Sequence, residues 1–273
     1  MAMMRERAYS FGVDNGLIGI ASEPEQFNNR RPAVIILNAG LLHHVGQGRV
    51  GVTLARRLAE QGWYVLRFDL SSVGDSPARP DDRPIQERSV GEIREAMDFL
   101  QTSKGIDYFV LYGLCTGADN AYRSAVVDER ICGGVLLEGY SYPTMHYYLK
   151  RYLPKLINPA FWIGKLKRMS QDKQSAEPGD VSYHWTLPPK TQVEQELKML
   201  VGRGTRLLMI YTGSNGDYNY CEQFRDAFPK VDFRDCLQLE YFERGDHNVS
   251  MQSDKEQLFQ LVGDWLRRSY LPQ

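Results

Sequence analysis

The stretch "DYFVLYGLCTGADNAYRSAV", residues 107–126, decides how the rest of the chain is read. An apolar run over 108–114 ends in Gly113-Leu114-Cys115-Thr116-Gly117, and a small-residue pattern of helical period follows. A continuous apolar run of that length reads as a strand buried on both faces. A strand that passes at once into a helix needs a sharp turn, and flanking glycines remove the side chains that would clash there. Such a turn lifts its central residue above the sheet edge, at a helix N-terminus, where the dipole and free N–H groups favour negative charge. For a cysteine this favours the thiolate, its reactive form. The pattern is G-x-S-x-G with cysteine in the serine position, a nucleophile elbow when it lies between a strand and a helix. The plainer alternative is a buried cysteine at a tight junction.

Outward from this stretch, strand-like and helix-like patterns alternate. Residues 6–11 and 16–21 read as a strand pair joined at "DNG". "AVIILNA" (33–39) and "WYVLRFDL" (63–70) are buried strands, separated by a helix carrying Val50, Leu54 and Leu58. Ser89, with Glu92 three residues on, gives a capping-box start to a helix whose apolar face is Val90, Ile93, Met97 and Leu100. After the strand at 108–114 come a helix at 118–127 and a strand "ICGGVLLEG" (131–139). "RLLMIYTG" (206–213), "LQLEYFERG" (237–245) and a final helix over 253–268 complete the pattern. This alternation implies a mostly parallel, doubly wound α/β sheet with helices on both faces. Functional residues of such sheets collect at the carboxyl ends of the strands, where Cys115 sits. Residues 141–200 break the rhythm with Pro143, Pro154, Pro159, Pro178, Pro188 and Pro189. They are too many for a simple connection and read as a helical cap. The division is then core at 1–140, cap at 141–200 and core again at 201–273.

Composition bounds the function. The chain has 273 residues, 42% hydrophobic and 25% charged, enough for a sizeable core. A net charge of −1 does not point to nucleic acid or a membrane surface. No apolar run reaches the ~20 residues of a membrane span, and "MAMMRERAYSFG" lacks a signal-peptide core. Cys115, Cys132, Cys221 and Cys236 show no CxxC or metal-ligand spacing, so reduced thiols in a cytoplasmic protein are expected, with no metal and no cofactor.

A nucleophile at residue 115 needs a base and an orienting acid, in the order nucleophile, acid, histidine. Of five histidines, His247 follows the last strand in "FERGDHNVS". Asp217 follows the preceding strand in "MIYTGSNGDYNY", with Asp246 and Glu222 as weaker alternatives. A polar loop Asp is commonly a turn residue, but the order Cys115, Asp217, His247 is met with the right elements between.

These segments together resemble the α/β-hydrolases over nearly the whole chain. "VIILNAG" resembles the strand leading into that family's oxyanion loop, "VLRFDLSSVGDS" its next strand and turn, "GLCTGA" its nucleophile elbow and "GDHN" its histidine loop. "NAGLLHHVGQGR", "FDLSSVGDS", "GLCTGAD" and "YYLKRYLPKLINP" more narrowly resemble hydrolases found with bacterial polysaccharide or secondary-metabolite pathways. The resemblance implies an oxyanion hole from the Thr116 amide and one on the first loop. There Asn38-Ala39 replaces the family's His-Gly, so Gly40 is the first choice and Leu41 the second. Cysteine for serine is the other departure; dienelactone hydrolases are similar in using cysteine.

The implied chemistry is a Cys-His-Asp acyl hydrolase working on an ester or thioester through an acyl-cysteine. An acyltransferase or cyclase using the same intermediate is an alternative, and a non-catalytic binding protein a third. Between His146 and Ser170 the cap carries Lys150, Arg151, Lys155, Lys165, Lys167 and Arg168 and no carboxylate, with Tyr147, Tyr148, Tyr152, Phe161 and Trp162 interleaved. This reads as a solvated amphipathic helix, as an electropositive entrance, or, as the least favoured reading, as a basic amphipathic helix touching a membrane surface. The entrance would suit the anionic handle of an acyl carrier protein or coenzyme A thioester, with Tyr147, Lys150 and Arg151 foremost and His43 and His44 at the mouth.

Overall fold

A computed structural model describes residues 4–156 and 187–271, with side chains omitted at 154–156. Eight strands form one sheet: β1 (Arg5–Phe11), β2 (Leu17–Glu23), β3 (Ala33–Ile36), β4 (Val65–Asp69), β5 (Phe109–Leu114), β6 (Ile131–Leu137), β7 (Arg206–Thr212) and β8 (Leu237–Phe242). Their spatial order is β1-β2-β4-β3-β5-β6-β7-β8. The β1–β2 and β2–β4 pairs are antiparallel, and every later pair is parallel. This is the expected mostly parallel α/β sheet. The carboxyl ends of β5, β6, β7 and β8 are neighbours along one edge, which brings four successive loops together there.

The helices are α1 (Val50–Glu60), α2 (Ile85–Lys104), α3 (Thr116–Val127), α4 (Met145–Leu156), α5 (Lys190–Gly202), α6 (Gln223–Ala227) and α7 (Gln252–Tyr270). The apolar stripes sort them to two faces. Leu54, Leu58, Leu258, Val262 and Leu266 of α1 and α7 close over Val34, Val65, Val110 and Val135. Ile93, Met97, Ala121, Ala125, Val193 and Leu197 of α2, α3 and α5 close over Ile35, Leu66, Leu111 and Leu136. Alternate strand residues thus serve opposite faces, as the period of two requires.

Two expectations change. Helix α2 begins at Ile85 behind Pro84, not at Ser89. The Ser89 hydroxyl donates to the Ile85 carbonyl at 2.8 Å, and the Glu92 carboxylate accepts from the Ser71 amide at 2.9 Å and from its hydroxyl. Tertiary partners have taken the groups that would form a capping box. The other change concerns 141–200, expected to be cap throughout. Its C-terminal part, α5, has Val193, Leu197 and Leu200 fully buried against the sheet, so it is the crossover helix from β6 to β7. Helix α4 stands over the carboxyl edge. The expected cap residues Phe161, Trp162, Lys165, Lys167 and Arg168 lie outside the described residues, as does the side chain of Lys155. Among the described residues, no helix is long and apolar enough to cross a membrane.

Candidate active site

Cys115 lies between β5 and α3 with φ 54° and ψ −114°, a backbone conformation costly for any residue but glycine. The surroundings hold it there. Its amide donates to the Leu137 carbonyl at 2.9 Å, and its carbonyl accepts from Ala118 at 2.9 Å and Asp119 at 3.1 Å. A Cβ on Gly113 would run into the Gly117 backbone, and one on Gly117 would lie 2.5 Å from the Asn38 carbonyl oxygen. Both glycines are therefore required by close backbone approach, as the turn predicts.

The thiol differs from the sequence expectation. Burial pushes its pKa up, the nearby Glu138 and Asp119 charges push it further, and only the Thr116 amide, bonded to the sulfur, opposes them. The other three cysteines are likewise free.

His247 follows β8, with a side chain 46% exposed, and its Nδ1 lies 3.8 Å from Oε2 of Glu138. Glu138 ends β6 with φ 54° and a buried side chain. Its Oε1 accepts from the Thr212 amide at 2.7 Å, and its Oε2 from Asn215 Nδ2 at 2.6 Å. A buried carboxylate fixed by two donors is a stable acceptor for an imidazole N–H. Asp217, the expected acid, is not brought to His247: no ion pair within 4.0 Å joins them. Its amide donates to Asn215 Oδ1 at 3.0 Å, its carbonyl accepts from Gln223, and its side chain is exposed. This Asx turn aims the loop's asparagine, not its aspartate, at the sheet edge. The two weaker candidates are also engaged elsewhere. Asp246 accepts from the Asn248 and Ser250 amides of its own loop, and Glu222 pairs with Arg225 at the surface. The sequence signal for Glu138 is a lone carboxylate closing the apolar run "GGVLLE". No hydrogen bond links His247 to the Cys115 sulfur in this structure.

On the first loop Gly40 has φ 58°, and its amide donates to Thr116 Oγ1 at 2.5 Å. Leu41, the second choice, is 81% exposed. Asn38 Nδ2 donates to the Leu42 carbonyl and to Asp69 Oδ1, both at 2.8 Å, while its Oδ1 accepts from the Leu70 amide at 2.9 Å. The asparagine ties this loop to the end of β4.

His43 and His44 join the same network. Asp69 is fully buried and accepts from the His44 amide at 2.6 Å, from His44 Nδ1 at 2.7 Å and from the Asp75 amide at 3.0 Å. His43 Nδ1 accepts from the Val45 amide, so its Nε2 carries the proton and donates to Asp75 at 3.1 Å. The ligand atoms of His43, His44, Asp69 and Asp75 lie within 4.8 Å of one another. That spacing would suit a metal; in this structure the same groups are tied to one another by the bonds just named.

The cap residues also have partners. Tyr147 is buried and its hydroxyl donates to the Gly216 carbonyl at 2.6 Å. Arg151 donates to the same carbonyl and to Tyr147 Oη, and Lys150 Nζ donates to the Asn219 carbonyl at 2.9 Å. These three residues fasten α4 onto the loop after β7. The expected entrance cations are thus in part clamps for the loop that carries Asn215.

No family model matches the chain. It is 26% identical over 137 residues to an Escherichia coli K12 protein described as the uncharacterized protein YcjY, a match spanning 47% of this chain and 44% of that protein. Among solved structures, the Pyrococcus furiosus esterase Pf2001 aligns with a TM-score of 0.62 at 16% identity, covering 98% of this chain and 92% of that one. A putative hydrolase from Agrobacterium vitis S4 aligns at 0.59 and 17% identity, covering 97% and 99%. The Xanthomonas campestris protein XC6422, described as an α/β serine hydrolase without a lid, aligns at 0.59 and 15% identity, covering 99% and 96%. The chain has the α/β-hydrolase fold.

Proposed function

We propose that the protein is an acyl hydrolase acting on an ester or thioester through an acyl-cysteine, with Cys115 as nucleophile, His247 as base and Glu138 as the orienting acid. The observation that carries this reading is the strained Cys115 at the strand–helix turn after β5, with Glu138 after β6 and His247 after β8 facing each other on the same sheet edge. Glu138 keeps the chain order nucleophile, acid, histidine.

The steps are as follows. Substrate draws His247 in from its half-exposed position, Nδ1–H to Glu138 and Nε2 to the thiol. Nε2 takes the proton as sulfur attacks the carbonyl carbon, and Glu138 stabilises the imidazolium. The carbonyl π pair moves onto oxygen, where the Thr116 amide and the Gly40 amide donate. In the resting site the Gly40 amide is bonded to Thr116 Oγ1, so the incoming oxygen displaces that hydroxyl. The leaving alkoxide or thiolate departs with the His247 proton. Water, deprotonated by His247, then attacks the acyl-cysteine, and the thiol regains its proton. Acyl transfer to an amine or alcohol shares every step up to the acyl-cysteine; product analysis with and without an acceptor separates the two outcomes.

The test is intact mass spectrometry after exposure to a panel of activated esters and thioesters. A mass gain equal to the acyl group, on Cys115 and lost in Cys115→Ala, is expected. Near-wild-type turnover by Cys115→Ala would sink the covalent mechanism.

A further inference from the structure

A cavity of about 80 Å³ opens beside the oxyanion loop, between that loop, the start of α3 and the first turns of α2. Gly40 and Thr116, the two proposed oxyanion donors, line part of it, and Ser71, Arg88, Glu92 and Asn120 are its polar lining beside the apolar Leu70, Val73 and Ile85. Anything attached to a carbonyl held by Gly40 and Thr116 has this space beside it.

The charges in the cavity are unequally matched. Glu92 is buried, and both its oxygens accept from Ser71. Arg88 has no such partner. Among the described residues no carboxylate lies within 4.0 Å of its guanidinium, and its Nε is buried with no acceptor at all. Buried donors without acceptors are rare in native structures, and each asks what would supply the acceptor. Asn120 sits one turn along α3 from Thr116, so it is on the same helix face. Its side-chain amide is also without a hydrogen bond among the described residues. A guanidinium is a planar fork that matches a carboxylate with two parallel bonds.

We propose that this cavity is a subsite for a carboxylate carried by the substrate, received by Arg88 with Asn120 beside it. The proposal rests on the acyl-cysteine reading, since it takes the oxyanion donors as the place where the reacting carbonyl sits. The space is a few times the roughly 10–15 Å³ that a single water needs. It suits a short carboxylate-bearing arm rather than a long alkyl chain. The substrate class is then the monoester or monothioester of a short dicarboxylic acid.

The experiment compares p-nitrophenyl hydrogen glutarate with p-nitrophenyl pentanoate, uncatalysed rates subtracted, in wild type, Arg88→Gln and Arg88→Lys. The wild type is expected to favour the glutarate in kcat/KM. Arg88→Gln should lower the glutarate-to-pentanoate ratio by about ten- to a hundredfold, the range for hydrogen bonds to charged groups. Arg88→Lys should restore part of it. Alongside, protection of Cys115 from iodoacetamide is followed by peptide mass, with monomethyl glutarate or methyl pentanoate as protectant. The glutarate should protect better, and Arg88→Gln should erase the difference. An unchanged ratio in Arg88→Gln, or equal protection by the two compounds in wild type, overturns the subsite while leaving the acyl-cysteine reading standing. Turnover that survives Cys115→Ala overturns that reading instead, and the protection measurement, which needs no turnover, still judges the subsite.

Discussion

At the scale of single residues, a thiol held above its ordinary pKa by burial and by the Glu138 and Asp119 charges must be deprotonated during the attack. The sign is definite. At any given pH the thiolate fraction of Cys115 is below that of an ordinary cysteine. Alkylation by iodoacetamide in the free protein should therefore keep rising through pH 9, the usual thiol value; a plateau below pH 8 would contradict the environment described. The acid gives a second prediction. Glu138→Gln keeps the shape but removes the charge that steadies the imidazolium, and should cost about 10²–10⁴ in kcat, the scale for a triad carboxylate. Asp217→Asn, which alters an exposed side chain, should stay within about twofold. The reverse ranking, measured on samples matched for folded fraction by circular dichroism, would return the role to Asp217. The strand–helix turn that holds Cys115 and the loop after the last strand that carries His247 were legible because local spacing and chain order point to them. Glu138 was not, because a carboxylate after "GGVLL" looks like an ordinary strand end. Only the folded sheet shows Thr212 and Asn215 turning toward it.

At the scale of elements, the strand–turn–helix unit was legible because its requirements are local: an apolar run, two glycines and a small-residue helix. Its tightness can be tested. With the Asn38 carbonyl oxygen 2.5 Å from the place of its Cβ, Gly117→Ala must push α3 off the oxyanion loop. A loss of about 1–3 kcal/mol is expected in urea unfolding, as for other overpacked sites, with a larger fractional loss of activity. A variant as stable as wild type would mean that the loop yields freely. Where elements were misread, the deciding contacts were long-range. Ser89 and Glu92 have the spacing of a capping box, but Glu92 is held by Ser71 on another segment. The Pro84–Ile85 step, with proline at the boundary, was the local cue to the true start of α2. Helix α5 was grouped with the cap because prolines surround it, although Val193, Leu197 and Leu200 already carry the period of a core-facing helix.

At the scale of the whole molecule, the buried Asp69 carboxylate and the Asn38 side chain join the β4 end to the loop that carries Gly40. Burial alone would raise the pKa of Asp69, but the His44 ring, the Asp75 amide and Asn38 outweigh it and hold the value below the ordinary one. A carboxyl group lowered on folding adds stability that is fully present above the unfolded value, near 4, and is lost as pH falls through the folded value. Asp69→Asn removes that contribution and leaves His44 and the two backbone amides facing a poorer acceptor. At pH 7 the variant should be less stable by about 1–3 kcal/mol, the range for leaving buried donors without a good acceptor. The gap should then narrow as pH drops from 5 toward 2, because protonation takes the same charge from the wild type. Other lowered carboxyls, such as Glu6 and Asp128, are common to both proteins and cancel in the difference. Urea unfolding at stepped pH measures the gap directly. If it stays constant from pH 7 to pH 2, Asp69 contributes by shape alone, and its charge does not anchor the loop that carries Gly40.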